Sequence, residues 1–317
     1  MRSASADLTR FAPGNAFIQL ALGLNSLWTN RPREVVDGLR KPLPWEIYLK
    51  PSVSIGAMYF QSLTGALHEL GEHEQELKEA RRGRAVYPDL LNLQAYEVRA
   101  LIALGHIEEV NRLLDEIIAM RSRWAYPSCC LALATPGYVI QAAAEELRTH
   151  GDVQASIKTA NRAADWYSSR IGDEAKKEEN RAGLGDALYK AERWEEARSV
   201  FEDLAREFPA NIHYLGRLGT LAARRGDRTE ALRIADWLKR YVNPDICGNQ
   251  TFRSACILAL LGDKDGAIAL LREAIAMGYG GADPPDPVGY GLIFRHSMDL
   301  ESLRGYPPFE DLIKPRG

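Results

Sequence analysis

A glycine turn that recurs along the chain constrains its fold more than any other feature. It appears as Leu70-Gly71-Glu72, Leu104-Gly105-His106, His150-Gly151-Asp152, Arg225-Gly226-Asp227 and Leu261-Gly262-Asp263. Glycine accepts positive φ at no steric cost, and an aspartate directly after it caps the next helix. Gly71 and Gly105 lie 34 residues apart. Each turn separates two stretches with apolar residues at helical spacing. A helix pair of this size cannot bury its apolar face alone, so each pair requires neighbours. The expected fold is therefore all-α, a solenoid of stacked antiparallel helix pairs.

The clearest unit is 178–211, EENRAGLGDALYKAERWEEARSVFEDLAREFPAN. Leu184 and Leu188 share one face of a first helix, with Gly185 small where the partner helix must come close. Ala197 and Phe201 occupy the facing stripe of a second helix, and Pro209 stops it. In the next unit Leu218, Gly219, Ala222, Ala231 and Ala235 repeat these offsets. The spacing resembles the tetratricopeptide repeat over roughly residues 55–278, and the resemblance implies a right-handed superhelical solenoid of antiparallel helix pairs. The units around Gly105, Gly151 and Gly262 are degenerate, and the consensus alanine of the second helix is Glu76 in one unit and Val110 in the next.

The flanks divide the chain further. Residues 1–54 read as an N-terminal helical cap and a loop in which Pro42, Pro44 and Pro51 forbid a continuous helix. Residues 55–278 hold about six helix pairs, with an irregular insert at 121–136. Residues 279–317 begin with the Pro/Gly-rich break YGGADPPDPVGY and end in a capping helix carried by Leu300, Leu303, Phe309 and Leu312. The closing MDLESLRGYPPFEDLIKPRG resembles the end of tetratricopeptide arrays in large bacterial signalling proteins. There the array follows a serine/threonine kinase or a DNA-binding regulator domain. WTNRPREVVDGLR, HELGEHEQELKEARRGRAVYPD and YLGRLGTLAARRGD extend the resemblance. It implies the sensor half of such a protein without its output domain. The chain has no His-Arg-Asp and no Asp-Phe-Gly, so kinase activity does not carry over.

Charge and composition narrow the partners. Forty basic and 43 acidic residues are mixed along the sequence, for a net charge of −3. That leaves no electrostatic footprint for nucleic acid or an anionic membrane surface. Basic pairs such as Arg81-Arg82 and Arg224-Arg225 read as solvated helix faces. No apolar run approaches the ~18 residues of a membrane span. The first residues lack the apolar core of a signal peptide. Cys129, Cys130, Cys247 and Cys256 show no Cys-x-x-Cys spacing, and Cys256 falls on an apolar helix stripe. A reduced, cytoplasmic chain is the expectation.

No cluster reads as catalytic. His68, Glu69, Glu72, His73 and Glu74 crowd one glycine turn, but His68 and His73 lack the i, i+4 spacing of a zinc-binding helix. They read as a solvated turn. Gly278-Tyr279-Gly280-Gly281 is not followed by the lysine of a phosphate loop, and no Gly-x-Ser-x-Gly elbow occurs. His213 and His296 have no partner at helical spacing. No catalytic residue, cofactor or metal ligand is assigned.

In stacked helix pairs the first helices line a concave face. The outward residues expected to contact a ligand there are Gln61, His68, Asn92, Arg99, Tyr138, Gln141, Glu145, Asp186, Tyr189, Lys190, His213, Arg217, Arg224, Asn249 and Phe252. Interleaved aromatic and long polar side chains suit an extended peptide. The lysine, asparagine and arginine set with which one tetratricopeptide groove grips a C-terminal carboxylate is absent, since its places hold Gln61, Gly65, Tyr96, Tyr138 and Ala142. The expected function is a non-catalytic scaffold for a protein or peptide segment, a sensor module in signalling. The alternative is a hydrolase-like enzyme or a small-molecule receptor, with a pocket where segments 41–52, 121–136 and 279–296 fold over the groove. Self-association through residues 279–317 is a third route.

Overall fold

The computed structural model describes residues 15–40, 53–120, 135–241, 247–279 and 289–316. The Pro-rich loop at 41–52, all but the end of the insert at 121–136, and the break at 280–288 lie outside the described residues. Among the described residues all regular structure is helical. The chain forms two compact units, residues 1–135 with 283–293 and 314–317, and residues 136–282 with 294–313.

The first unit holds α1 (Ala16–Trp28), α2 (Pro32–Leu39), α3 (Val53–Glu69), α4 (His73–Val86), α5 (Leu91–Ala103) and α6 (Ile107–Ala119). Each packs against the next, and α3 also meets α1 and α5. Proline opens α2, where its missing N–H costs nothing. Leu20, Leu27, Val35, Leu39, Phe60, Leu63, Leu67, Ala80 and Leu93 form one core. Gly83 of α4 lies so close to the Phe60 ring that a Cβ would approach it to 2.9 Å. The unit draws on distant parts of the chain. Asn30 donates from Nδ2 to the Lys314 carbonyl at 2.9 Å and accepts from the Arg316 N–H at 2.7 Å. Glu69 Oε1 accepts from the Gly289 N–H at 3.0 Å.

The second unit continues with α7 (Pro136–Thr149), α8 (Val153–Ser168), the single turn α9 (Asp173–Lys176), α10 (Glu178–Lys190), α11 (Trp194–Glu207), α12 (Ile212–Arg224), α13 (Arg228–Arg240), α14 (Asn249–Leu260) and α15 (Lys264–Ala276). Helix α16 (Tyr290–His296) begins in the first unit and ends in the second. The closing region is a 3-10 turn (Glu301–Leu303) followed by α17 (Pro307–Ile313), rather than one helix. Buried Phe201 of α11 fills the space over Gly185, where a Cβ would come within 2.8 Å of the ring. Helix α11 ends at Glu207, two residues before Pro209. Cys256 is buried on α14, as its apolar surroundings predict.

The repeated turns share one geometry. At Gly226 (φ 78°) the N–H reaches the Ala223 carbonyl, and Asp227 N–H reaches back to Ala222, which closes the helix end. Asp227 Oδ1 then accepts from the Glu230 N–H at 3.1 Å, and Asp152 and Asp263 cap their helices in the same way. In the best-preserved unit the left-handed position belongs to Glu192 (φ 60°) instead of glycine. That costs about 1 kcal/mol of backbone strain. Its carboxylate accepts from Arg148 Nη1 at 2.8 Å, a favourable contact that a glycine could not make.

Candidate functional site

Two helices of the second unit supply the core of the site. On α10, Asp186, Tyr189 and Lys190 are one turn apart; on α12, His213, Arg217 and Arg224 share a face. Asp186 Oδ1 accepts from Arg217 Nε at 2.7 Å, and Oδ2 accepts from His213 Nε2 at 2.9 Å. Arg217 and Arg224 both lie over the Tyr189 ring, at 4.6 and 5.2 Å from its centroid, and Arg224 also covers Trp194 at 4.7 Å. These cations rest on the negative faces of the aromatic rings.

These side chains are engaged by the chain itself. Asp299, between α16 and the 3-10 turn, is 4% exposed. Its Oδ1 accepts from Tyr189 Oη at 2.5 Å and Arg224 Nη2 at 2.7 Å, and its Oδ2 accepts from Arg217 Nη1 at 3.2 Å. Arg224 Nε donates to Tyr189 Oη, and Arg224 Nη2 reaches the Met298 carbonyl at 3.3 Å. Two residues on, the guanidinium of Arg148 grips both oxygens of Glu301, at 2.6 and 3.2 Å. Phe294 stacks on Phe252, which stacks on Tyr279, with centroids 5.5 and 4.5 Å apart.

The electrostatics follow from burial among paired charges. Burial alone would raise the Asp186 carboxyl, but His213 and Arg217 hold it well below the usual range. Burial and the Asp299 charge push the Tyr189 phenol up, so it remains a donor. Arg217 and Arg224 stay cationic despite burial, held by Asp186 and Asp299 for the first and by Tyr189 and Asp299 for the second. Burial pushes the His213 imidazole down from its usual value, with Arg253 and Arg217 adding to the effect and Asp186 opposing it. A folded pKa below the unfolded value gives stability that is complete above about pH 6.5 and declines as pH falls through that region. We expect the melting temperature of the wild type to fall more steeply from pH 6.5 to 5.5 than that of His213→Gln. Parallel curves, measured by circular dichroism, would remove His213 from the account.

Of the fifteen residues expected to line the groove, six are buried and nine half-buried. Asp186, Tyr189, His213, Arg217 and Arg224 come together in the network around Asp299. Lys190 donates to Gln141 at 2.7 Å and pairs with Glu145 at 3.1 Å, on the neighbouring α7. Phe252 belongs to the aromatic stack, while Tyr138 and Asn249 are half-buried at the starts of α7 and α14. In the first unit Gln61, His68 and Asn92 are buried. There Glu76 occupies the consensus alanine place. Its carboxylate accepts from Arg99 Nε at 2.7 Å and contacts Nδ1 of His68 at 2.8 Å and Nδ1 of His73 at 3.3 Å. The solvated turn expected around His68 is thus a buried ion cluster.

Three further expectations change. Arg224 is not on a solvated face but inside the network. His213 finds Asp186 one helix pair away, and His296 lies 3.2 Å from Glu146. Sequence reasoning missed Arg148, Asp299 and Glu301. The only available signal was the acidic pair inside MDLES, which reads equally well as the surface of a cap.

Residues 183–211, which include Asp186 and Tyr189, match the family model for the tetratricopeptide repeat. This chain contains a tetratricopeptide repeat. Solved structures of the same kind are similar to it at low identity. A tetratricopeptide repeat protein from Parabacteroides merdae is 10% identical, covering 83% of this chain and 93% of its own, at a TM-score of 0.43. The human IFIT1 dimer with m7Gppp-AAAA is 13% identical over 96% of this chain and 70% of that one, at 0.41. The Cut9-Hcn1 hetero-tetramer of APC/C is 16% identical, covering 99% of this chain and 58% of that one, at 0.39. Likenesses this distant carry nothing about the ligand or partner of this chain. No curated protein matches the chain. No described helix is long and apolar enough to cross a membrane.

Proposed function

We propose that the protein is a non-catalytic tetratricopeptide scaffold that binds a protein or peptide segment along the face of α10 and α12, as a sensor module in signalling. Repeats of this kind are scaffolds for protein interactions, and the repeat match covers α11 and the part of α10 from residue 183 on. One observation carries the finer reading: Tyr189, Arg217 and Arg224 converge on a carboxylate presented by a stretch of polypeptide. The Tyr189, Arg217 and Arg224 side chains are held by packing and by one another, so they themselves need little reordering on binding.

Selection from an unbiased peptide library tests it. Peptides captured by the full chain are expected to lose about tenfold or more in affinity on Arg217→Ala, in line with loss of a buried charged contact. Tyr189→Phe, which removes only a hydroxyl, guards against a folding defect and is expected to weaken the same peptides. Equal binding by both folded variants would place the interaction elsewhere on the molecule.

A further inference from the structure

We propose that the segment taken by this groove is acidic, with two carboxylates two residues apart, and that it enters in place of the chain's own residues 298–303. The inference rests on the peptide-binding reading above and gives the partner its chemistry. Within the second unit the groove already holds one such segment. Asp299 is bound by donors from α10 and α12, and Glu301 by the fork of Arg148 on α7. Cations from separate helix pairs therefore read acids at positions i and i+2 of a single strand of chain. Between and after them Leu300 and Leu303 are fully buried. The pattern presented is acid, apolar, acid, small, apolar: Asp299-Leu300-Glu301-Ser302-Leu303.

Charge complementarity argues for an acidic occupant and against an empty groove. With residues 298–303 withdrawn, Arg217 keeps Asp186 and Arg148 keeps Glu192. Arg224 keeps the Tyr189 hydroxyl and the faces of Tyr189 and Trp194 but no anion, because Asp299 is the one carboxylate paired with it among the described residues. A buried guanidinium without an anion is strongly unfavourable. The vacated site therefore demands another carboxylate. Two oxygens approached from different sides, Oδ1 by Tyr189 and Arg224 and Oδ2 by Arg217, fit the planar carboxylate of an aspartate or glutamate side chain. The polar main-chain contacts, Arg224 to the Met298 carbonyl and Ser302 Oγ to the Ala259 carbonyl at 3.0 Å, would serve an incoming peptide as well.

The test uses a fluorescein-labelled peptide SMDLESLRG and the full chain, with and without Asp299→Ala plus Glu301→Ala. The double variant loosens the resident segment and is expected to bind the peptide at least tenfold more tightly than the wild type. A peptide with lysine at both acidic positions is expected not to bind. Failure of the folded double variant to bind, equal affinity in both proteins, or equal binding of the lysine peptide would overturn the proposal. Should the double variant lose its helical circular dichroism, hydrogen exchange on the wild type decides. Excess peptide is expected to raise exchange at residues 298–304, and unchanged exchange overturns the proposal. Library peptides that depend on Tyr189 and Arg217 but carry no acidic pair would sink this inference and leave the peptide-binding reading standing.

Discussion

Asp299→Ala is expected to destabilise the second unit by about 3–5 kcal/mol, the range found when one partner of a buried ion pair is removed. The substitution deletes few apolar atoms, so lost packing is the smaller part of the effect. The larger part is what it leaves behind: two guanidiniums, Arg217 and Arg224, and the Tyr189 hydroxyl, all aimed at a vacant position. Arg217 retains Asp186 at 2.7 Å, whereas Arg224 retains no carboxylate among the described residues. The damage should therefore follow Arg224. Adding Arg224→Met to Asp299→Ala is expected to recover part of the loss, because an unpaired buried charge is replaced by an apolar side chain of similar length. Urea unfolding followed by circular dichroism reads both. A single variant within about 0.5 kcal/mol of the wild type would mean that water replaces the carboxylate and that the network does not hold the closing segment.

Phe201→Ala is expected to cost about 3–5 kcal/mol, as other buried phenylalanine truncations do. The ring is fully buried, 6.1 Å from the Tyr214 ring and 5.9 Å from His213, and it fills the space over Gly185. Relaxation is limited on the Gly185 side, because a glycine has no side chain to swing into the void. The cavity therefore persists between α10, α11 and α12, beside the helices that carry the network around Asp299. A loss below about 1.5 kcal/mol in the same urea assay would show that these helices collapse onto the gap, contrary to close packing.

The helix pairs were legible because their determinants are local. Gly185, Ala197 and Phe201 meet through spacings of one repeat, and the turns need only a left-handed residue and a cap. Substitution of these residues hid as much as it revealed: Glu192 takes the left-handed turn position where other pairs have glycine, and Glu76 is buried where alanine is the rule. The candidate site was half legible. Helical spacing placed Asp186, Tyr189, Arg217 and Arg224 on faces that turn toward one another. It gave no sign that Asp299, 75 residues beyond Arg224 and 110 beyond Tyr189, would engage them. Such a contact has no periodicity. His213 and Asp186, 27 residues apart, belong to the same class on a smaller scale.

The bonds that tie residues 289 and 314–316 into the first unit also bear on how the protein is made. Asn30 meets Lys314 across 284 residues, and Glu69 meets Gly289 across 220. Synthesis proceeds from the N-terminus at about 5–20 residues per second. Helices α1 to α3 therefore leave the ribosome tens of seconds before the strands of chain that complete their unit. During that interval the Asn30 amide and the Glu69 carboxylate are without those partners, and the helices depend on contacts formed early. The second unit lacks residues 294–313 for less time. The unit begun first is thus finished last, and a stalled ribosome would leave it incomplete.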